Sequence, residues 1–174
     1  RVAIIAHRRE AIHMKRKGTA GAVVAALLLS GLAVVAQEGE FVGQQLPELK
    51  VSYLNAAPDL AGKPLIVEFW ATWCPPCRTS IPHLNELYGK YQDRGLQIVG
   101  ITNEDEPTVK TFLKQLPIKY HVAFDKDGKM GKHFKIRGIP HAFLVNAEGK
   151  IVWQGHPMAL RESEIEKVLP KAAQ

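Results

Sequence analysis

Past its first forty residues the chain alternates short apolar runs with segments whose apolar residues recur every three or four positions, a pattern of strands alternating with helices. Pro64 to Trp70 is nearly continuous in apolar residues and bounded by Gly62, as expected of a strand buried on both faces, with Glu68 its one interruption. Cys74 to Tyr91 reads as a helix. Pro75 and Pro76 suit its first turn, Ile81, Leu84, Leu87 and Tyr88 fall at helical spacing, and Pro82 predicts a kink. Leu96 to Thr102 is a second buried strand, and Glu106 to Leu116 a helix with Pro117 just beyond it. His121 to Phe124 forms a short strand and Lys129 to Phe134 a short helix. The strands His141 to Val145 and Lys150 to Gln154 make a hairpin around Asn146-Ala147-Glu148-Gly149, and Arg161 to Leu169 a last helix. Ahead of these, the turn-rich stretch from Gln37 to Gly62 carries one or two short strands near Leu49 to Tyr53. The order implies an α/β fold: a mixed parallel and antiparallel sheet with helices on both faces.

Charge changes this picture only at the front. The formal net charge of the 174 residues is +6, and residues 1–36 hold +5 of it, so the body is close to neutral and a nucleic-acid partner is not expected. Met14, then Lys15, Arg16 and Lys17, an apolar stretch from Ala20 to Val35 and the small-residue site Val34-Val35-Ala36 form the three parts of an export signal. Cleavage would start the mature chain near Gln37, and retention would leave a membrane anchor. Either way the body is delivered across a membrane, to the periplasm or another extracytoplasmic space. The expected organisation is thus residues 1–36 as N-terminal extension with signal peptide or anchor, and 37–174 as one folded domain.

The chemistry lies in FWATWCPPCR. Cys74 and Cys77, two residues apart, follow a buried strand and open a helix, where unpaired N–H groups and a partial positive charge favour a thiolate at the first sulfur. Cys74 is therefore the expected nucleophile, and Cys77, a turn further on, the thiol that resolves a mixed disulfide. A structural bridge would close too short a loop to constrain the unfolded chain much, and zinc would need about four ligands where only His83 is near in sequence. Pro75 and Pro76 cannot donate hydrogen bonds, so the lowering of the Cys74 pKa should be moderate and the pair reducing. Glu68, on a buried strand, should have a raised pKa and serve Cys77 as acid and base; pairing with Lys63 at a sheet edge is the alternative. Pro140, after Gly138-Ile139 and before a strand, would deny a ladder bond unless it is the strand's first residue; a cis Ile139–Pro140 bond that exposes the Ile139 backbone to an extended client is expected mainly from the family resemblance that follows. His121, His133 and His156 are expected on the surface, Trp73 on the docking face, and Trp70 and Trp153 in the core or sheet.

KPLIVEFWATWCPPCR, with Pro82 five residues past the second cysteine, and GIPHAFLVNAEGKIV resemble the thioredoxin superfamily, and within it the exported TlpA/ResA-like branch. The resemblance runs from about Gly43 to Leu169. It implies a thioredoxin-like three-layer sandwich, with a helix–strand unit inserted between about Asn103 and Phe124. Activity would be thiol–disulfide exchange that reduces client proteins, cytochrome c maturation being one setting, with a membrane thiol reductase as electron donor; the alternatives are an oxidant or isomerase of secreted proteins and a non-catalytic protein that binds through the cis-proline groove. Cys74 and Cys77 take the attacking and resolving positions, Glu68 the buried acid position and Pro140 the cis-proline position. Trp73, Pro75, Pro76, Ile139 and His141 would face the client. No cofactor or metal is implied beyond the Cys74–Cys77 disulfide. His141 departs from the Thr, or Glu in cytochrome-dedicated members, usual after that proline; protonated, it would lower the Cys74 pKa further.

Overall fold

The structure is a computed structural model and describes residues 39–170, so the reading of an export signal or anchor lies outside the described residues. Six strands form one sheet: β1 (Ser52–Tyr53), β2 (Leu65–Phe69), β3 (Gln97–Thr102), β4 (His121–Phe124), β5 (His141–Val145) and β6 (Ile151–Gly155). Their order is β1-β4-β3-β2-β5-β6, with β2, β3 and β4 mutually parallel and the outer pairings antiparallel. The helices are α1 (Pro75–Tyr91), α2 (Glu106–Leu113), α3 (Lys129–His133) and α4 (Glu162–Val168). The unit α2–β4 extends the sheet past β3.

Every residue of β2 is buried, because the strand is central and covered on both faces. Side chains alternate across it. Leu65, Val67 and Phe69 join Met130 and Phe134 of the α3 region on one face, and Ile66 joins Leu84, Leu87 and Ile165 of α1 and α4 on the other. The alternation places Glu68 on the α1 side. Helix α1 forms where Ile81, Leu84 and Leu87 present one apolar face to the sheet; burying each contributes about 1.5–3 kcal/mol. Pro82 stands on the exposed face of this single helix, where its ring meets solvent instead of the sheet.

The strands β4 and β5 fall where expected, and the other expected elements shift at one or both ends by one to three residues. Only one leading strand forms, Ser52–Tyr53 against β4, while Gln45 makes an isolated bridge to Lys150. Helix α2 stops at Leu113, and Leu116 instead donates its N–H to the Phe112 carbonyl in a closing turn.

Candidate functional site

Cys74 is the N-cap of α1 and has extended backbone (φ −91°, ψ 105°), so the helix begins directly behind its sulfur. The Cys77 N–H donates to Cys74 Sγ at 3.2 Å, and the two sulfurs form a disulfide with a Cα–Cα separation of 5.3 Å. Positions N1 and N2 are the two prolines, which removes the N–H groups that would otherwise join it. Cys74 is 2% exposed and Cys77 fully buried, whereas Trp73 beside them is 66% exposed. The Ile139–Pro140 bond is cis, and the Ile139 carbonyl oxygen lies 3.6 Å from Cys74 Sγ. In the disulfide that sulfur carries no proton, so this approach is a contact and not a hydrogen bond.

Glu68 is fully buried on β2, opposite Gly100 of β3 and Ala142 of β5. Its Oε1 accepts from Ser80 Oγ at 3.0 Å and its Oε2 from the Tyr120 hydroxyl at 2.9 Å. Lys63, the alternative partner, pairs with Asp59 instead. Burial pushes the Glu68 pKa up to about 7, and the hydrogen bonds from Tyr120 and Ser80 oppose the rise. Ser80 Oγ is also 3.0 Å from the Cys77 carbonyl oxygen. Its single proton can serve only one acceptor at a time. With Glu68 ionised the proton goes to the carboxylate; with Glu68 protonated, the acid can donate to Oγ and free the hydroxyl proton for the Cys77 carbonyl oxygen. Gly100 makes room for this arrangement, since a Cβ there would lie 3.0 Å from Trp70 Nε1 and 3.1 Å from the Tyr120 ring.

A second carboxylate fixes the loop in front of the cysteines. Glu104, just past β3, accepts from the Thr72 N–H at 2.7 Å and from the Thr72 hydroxyl at 2.6 Å. Arg78 Nε, one turn into α1, donates to the Thr72 carbonyl at 2.8 Å. The redox loop is thereby tied both to the end of β3 and to its own helix.

The AhpC/TSA family matches residues 42–154, most of the described chain. The chain belongs to that family. It is 33% identical over 152 residues to the thiol-disulfide oxidoreductase ResA of Bacillus cereus, an alignment that covers 80% of this chain and 88% of the relative. The thioredoxin domain of a thiol-disulfide oxidoreductase from Bacteroides vulgatus has a similar structure (TM-score 0.64, 28% identity), covering 74% of this chain and 98% of that one. A thioredoxin-family thiol:disulfide interchange protein from Chlorobium tepidum is similar over 67% of this chain and 87% of its own (TM-score 0.55, 30% identity). This AhpC/TSA member is thus a ResA-like thiol-disulfide oxidoreductase of thioredoxin-like fold.

In this AhpC/TSA chain the residues singled out in the sequence do not all gather in one place. Cys74 and Cys77 form the disulfide, Trp73, Pro75 and Pro76 adjoin it along the chain, the Ile139 carbonyl lies beside Cys74 Sγ, and Pro140 is buried. His141 is half-buried and its ring lies 4.9 Å from that of Phe143. Burial lowers the His141 pKa and so disfavours the charged form of the ring. His121 is also half-buried, not a surface residue: its Nε2 lies 3.1 Å from Gln97 Oε1 and 3.4 Å from the Tyr88 hydroxyl. Ser80, Tyr120, Thr72 and Glu104 went unnoticed in the sequence. A polar residue on the buried face of α1, three positions after Cys77, was the available signal for Ser80.

Proposed function

We propose that this oxidoreductase reduces disulfides of exported client proteins, apocytochromes c among them, and is itself recharged by a membrane thiol reductase. Cys74 as thiolate attacks a client disulfide, a Cys74–client disulfide forms, and one client thiolate leaves. Cys77 gives its proton to ionised Glu68 and attacks the Cys74 sulfur. The second client thiolate departs, the Cys74–Cys77 disulfide closes, and two electrons have passed to the client. Trp73, Pro75 and Pro76 bound the approach, and the Ile139 backbone next to cis-Pro140 pairs with an extended client segment.

The observation that carries the reducing direction is the sparse stabilisation of Cys74 Sγ, a single N–H from Cys77 at 3.2 Å with prolines at both intervening positions. A thiolate so modestly stabilised leaves the reduced form less favoured than in a strong oxidant, which keeps the potential low. The near-complete burial of both cysteines supports a restricted set of clients. Equilibration with glutathione buffers tests the direction: a potential near about −270 mV is expected, and one near about −120 mV would reverse the assignment. Cys74→Ala should reduce insulin no faster than the solvent background, and a variant as fast as the parent would end the proposal. Cys77→Ala should trap the client as a mixed disulfide and identify it.

A further inference from the structure

Beside the disulfide runs a groove of about 600 Å³ that extends from Trp73 and Ile139 toward α3. Its floor is apolar, made by Phe69, Ile101 and Ile136, and its outer rim is basic. Lys132, in the last turn of α3, and Arg137 are exposed, and neither makes an ion pair among the described residues. Lys135, which also lines the groove, pairs with Glu40, and Lys129 pairs with Asp127. Asp125 also lines the groove; it is buried, its Oδ2 accepts from the Gly131 N–H, and it lies beneath the two exposed rim cations as the groove's one carboxylate. In a body of nearly neutral charge, two cations without an ion pair stand over an apolar trough that reaches Trp73 and Ile139, the residues flanking Cys74.

We infer that this groove selects client segments carrying an acidic side chain a few residues from the reducible cysteine, with an apolar residue between them. The cysteine lies at Cys74 and Ile139, the apolar residue enters the trough, and the carboxylate meets Lys132 and Arg137. The inference rests on the reductase reading and adds the recognition chemistry. Rim charges of this kind act chiefly on encounter, so the preference should appear in the second-order rate and be sensitive to salt.

The test uses the reduced parent and two synthetic disulfide peptides identical except for Glu or Lys at the flanking position. Each rate is divided by the same protein's rate on hydroxyethyl disulfide, a small uncharged substrate that reports the exchange chemistry alone. At low ionic strength the Glu peptide should be reduced about tenfold faster, and at about 0.5 M salt the ratio should approach one. In Lys132→Glu/Arg137→Glu the preference should reverse. Equal rates on the two peptides at low salt, or a ratio that the double variant leaves unchanged, would overturn the groove assignment and leave the reductase reading standing. No turnover of hydroxyethyl disulfide by the parent would defeat both.

Discussion

Behind the disulfide, beneath α1, the titratable group is Glu68; in front of it, after the cis-proline, it is His141. Burial acts on both in the same sense, against the charged form, and the outcomes are opposite. The acid is carried up to about 7, into the range where it exchanges protons at neutral pH. The base is carried down and away from that range. One physical effect thus brings the buried acid into the proton-exchanging range and disfavours charge on the ring that follows the cis-proline. Hydrogen bonding sharpens the contrast, since Glu68 is held by two hydroxyls and no cation, while His141 mainly packs against Phe143.

The largest effect should follow Glu68→Gln. Resolution by Cys77 loses its proton acceptor, so the mixed disulfide should accumulate and turnover fall by about 100-fold, with no limb near pH 7 left in the rate profile. Stability gives an independent reading. The Glu68 pKa in the fold lies above the ordinary carboxylate value, so the native state binds the proton more tightly than the unfolded chain does. That preference adds stability fully below about pH 4.5 and loses it as pH rises through about 7, a swing on the order of 3 kcal/mol. Urea unfolding of the oxidised proteins at pH 5 and 8.5 should show this loss in the parent and not in the Gln variant. Equal pH slopes would mean that Glu68 titrates as an ordinary carboxylate, and the contrast with His141 would vanish.

Removing the hydroxyls should move the Glu68 midpoint without abolishing it. Both hydrogen bonds favour the anion, Tyr120 the more strongly, so Tyr120→Phe should raise the midpoint by about one unit and Ser80→Ala by less. The shift can be followed by difference infrared of the carboxyl band. A downward shift, or none in either variant, would show that the two hydroxyls do not hold the anion.

The chain's local pattern made most of this frame legible. Buried strands announced themselves as apolar runs, and prolines and glycines marked their borders, which is why the ends of β2, β3 and α1 fall within one residue of expectation. Glu68 was readable because a lone carboxylate in such a run has nowhere to go but inside. What surrounds it was not, since Tyr120 reaches Glu68 across 52 residues and only the strand order β4-β3-β2 brings them together. Glu104 and Thr72 meet across 32 residues for the same reason. His121 looked like a surface residue because its partner Gln97 is set by pairing between strands, where Val99 stands opposite His121. Periodicity reports the face on which a residue lies and is silent about who faces it.

The smallest effect should come from the client side. His141→Ala removes a ring whose charged form burial disfavours, so the Cys74 thiol pKa should move by no more than about 0.3 unit. The loss is one of packing against Phe143, and for a half-buried side chain it should cost about 1 kcal/mol in urea unfolding. Alkylation rates of reduced Cys74 measured from pH 5 to 9 check the first expectation. A rise of a full unit in the variant would mean that the imidazole carries charge when the pair is reduced. The client side would then hold a proton of its own, and desolvation would no longer explain why the two faces differ.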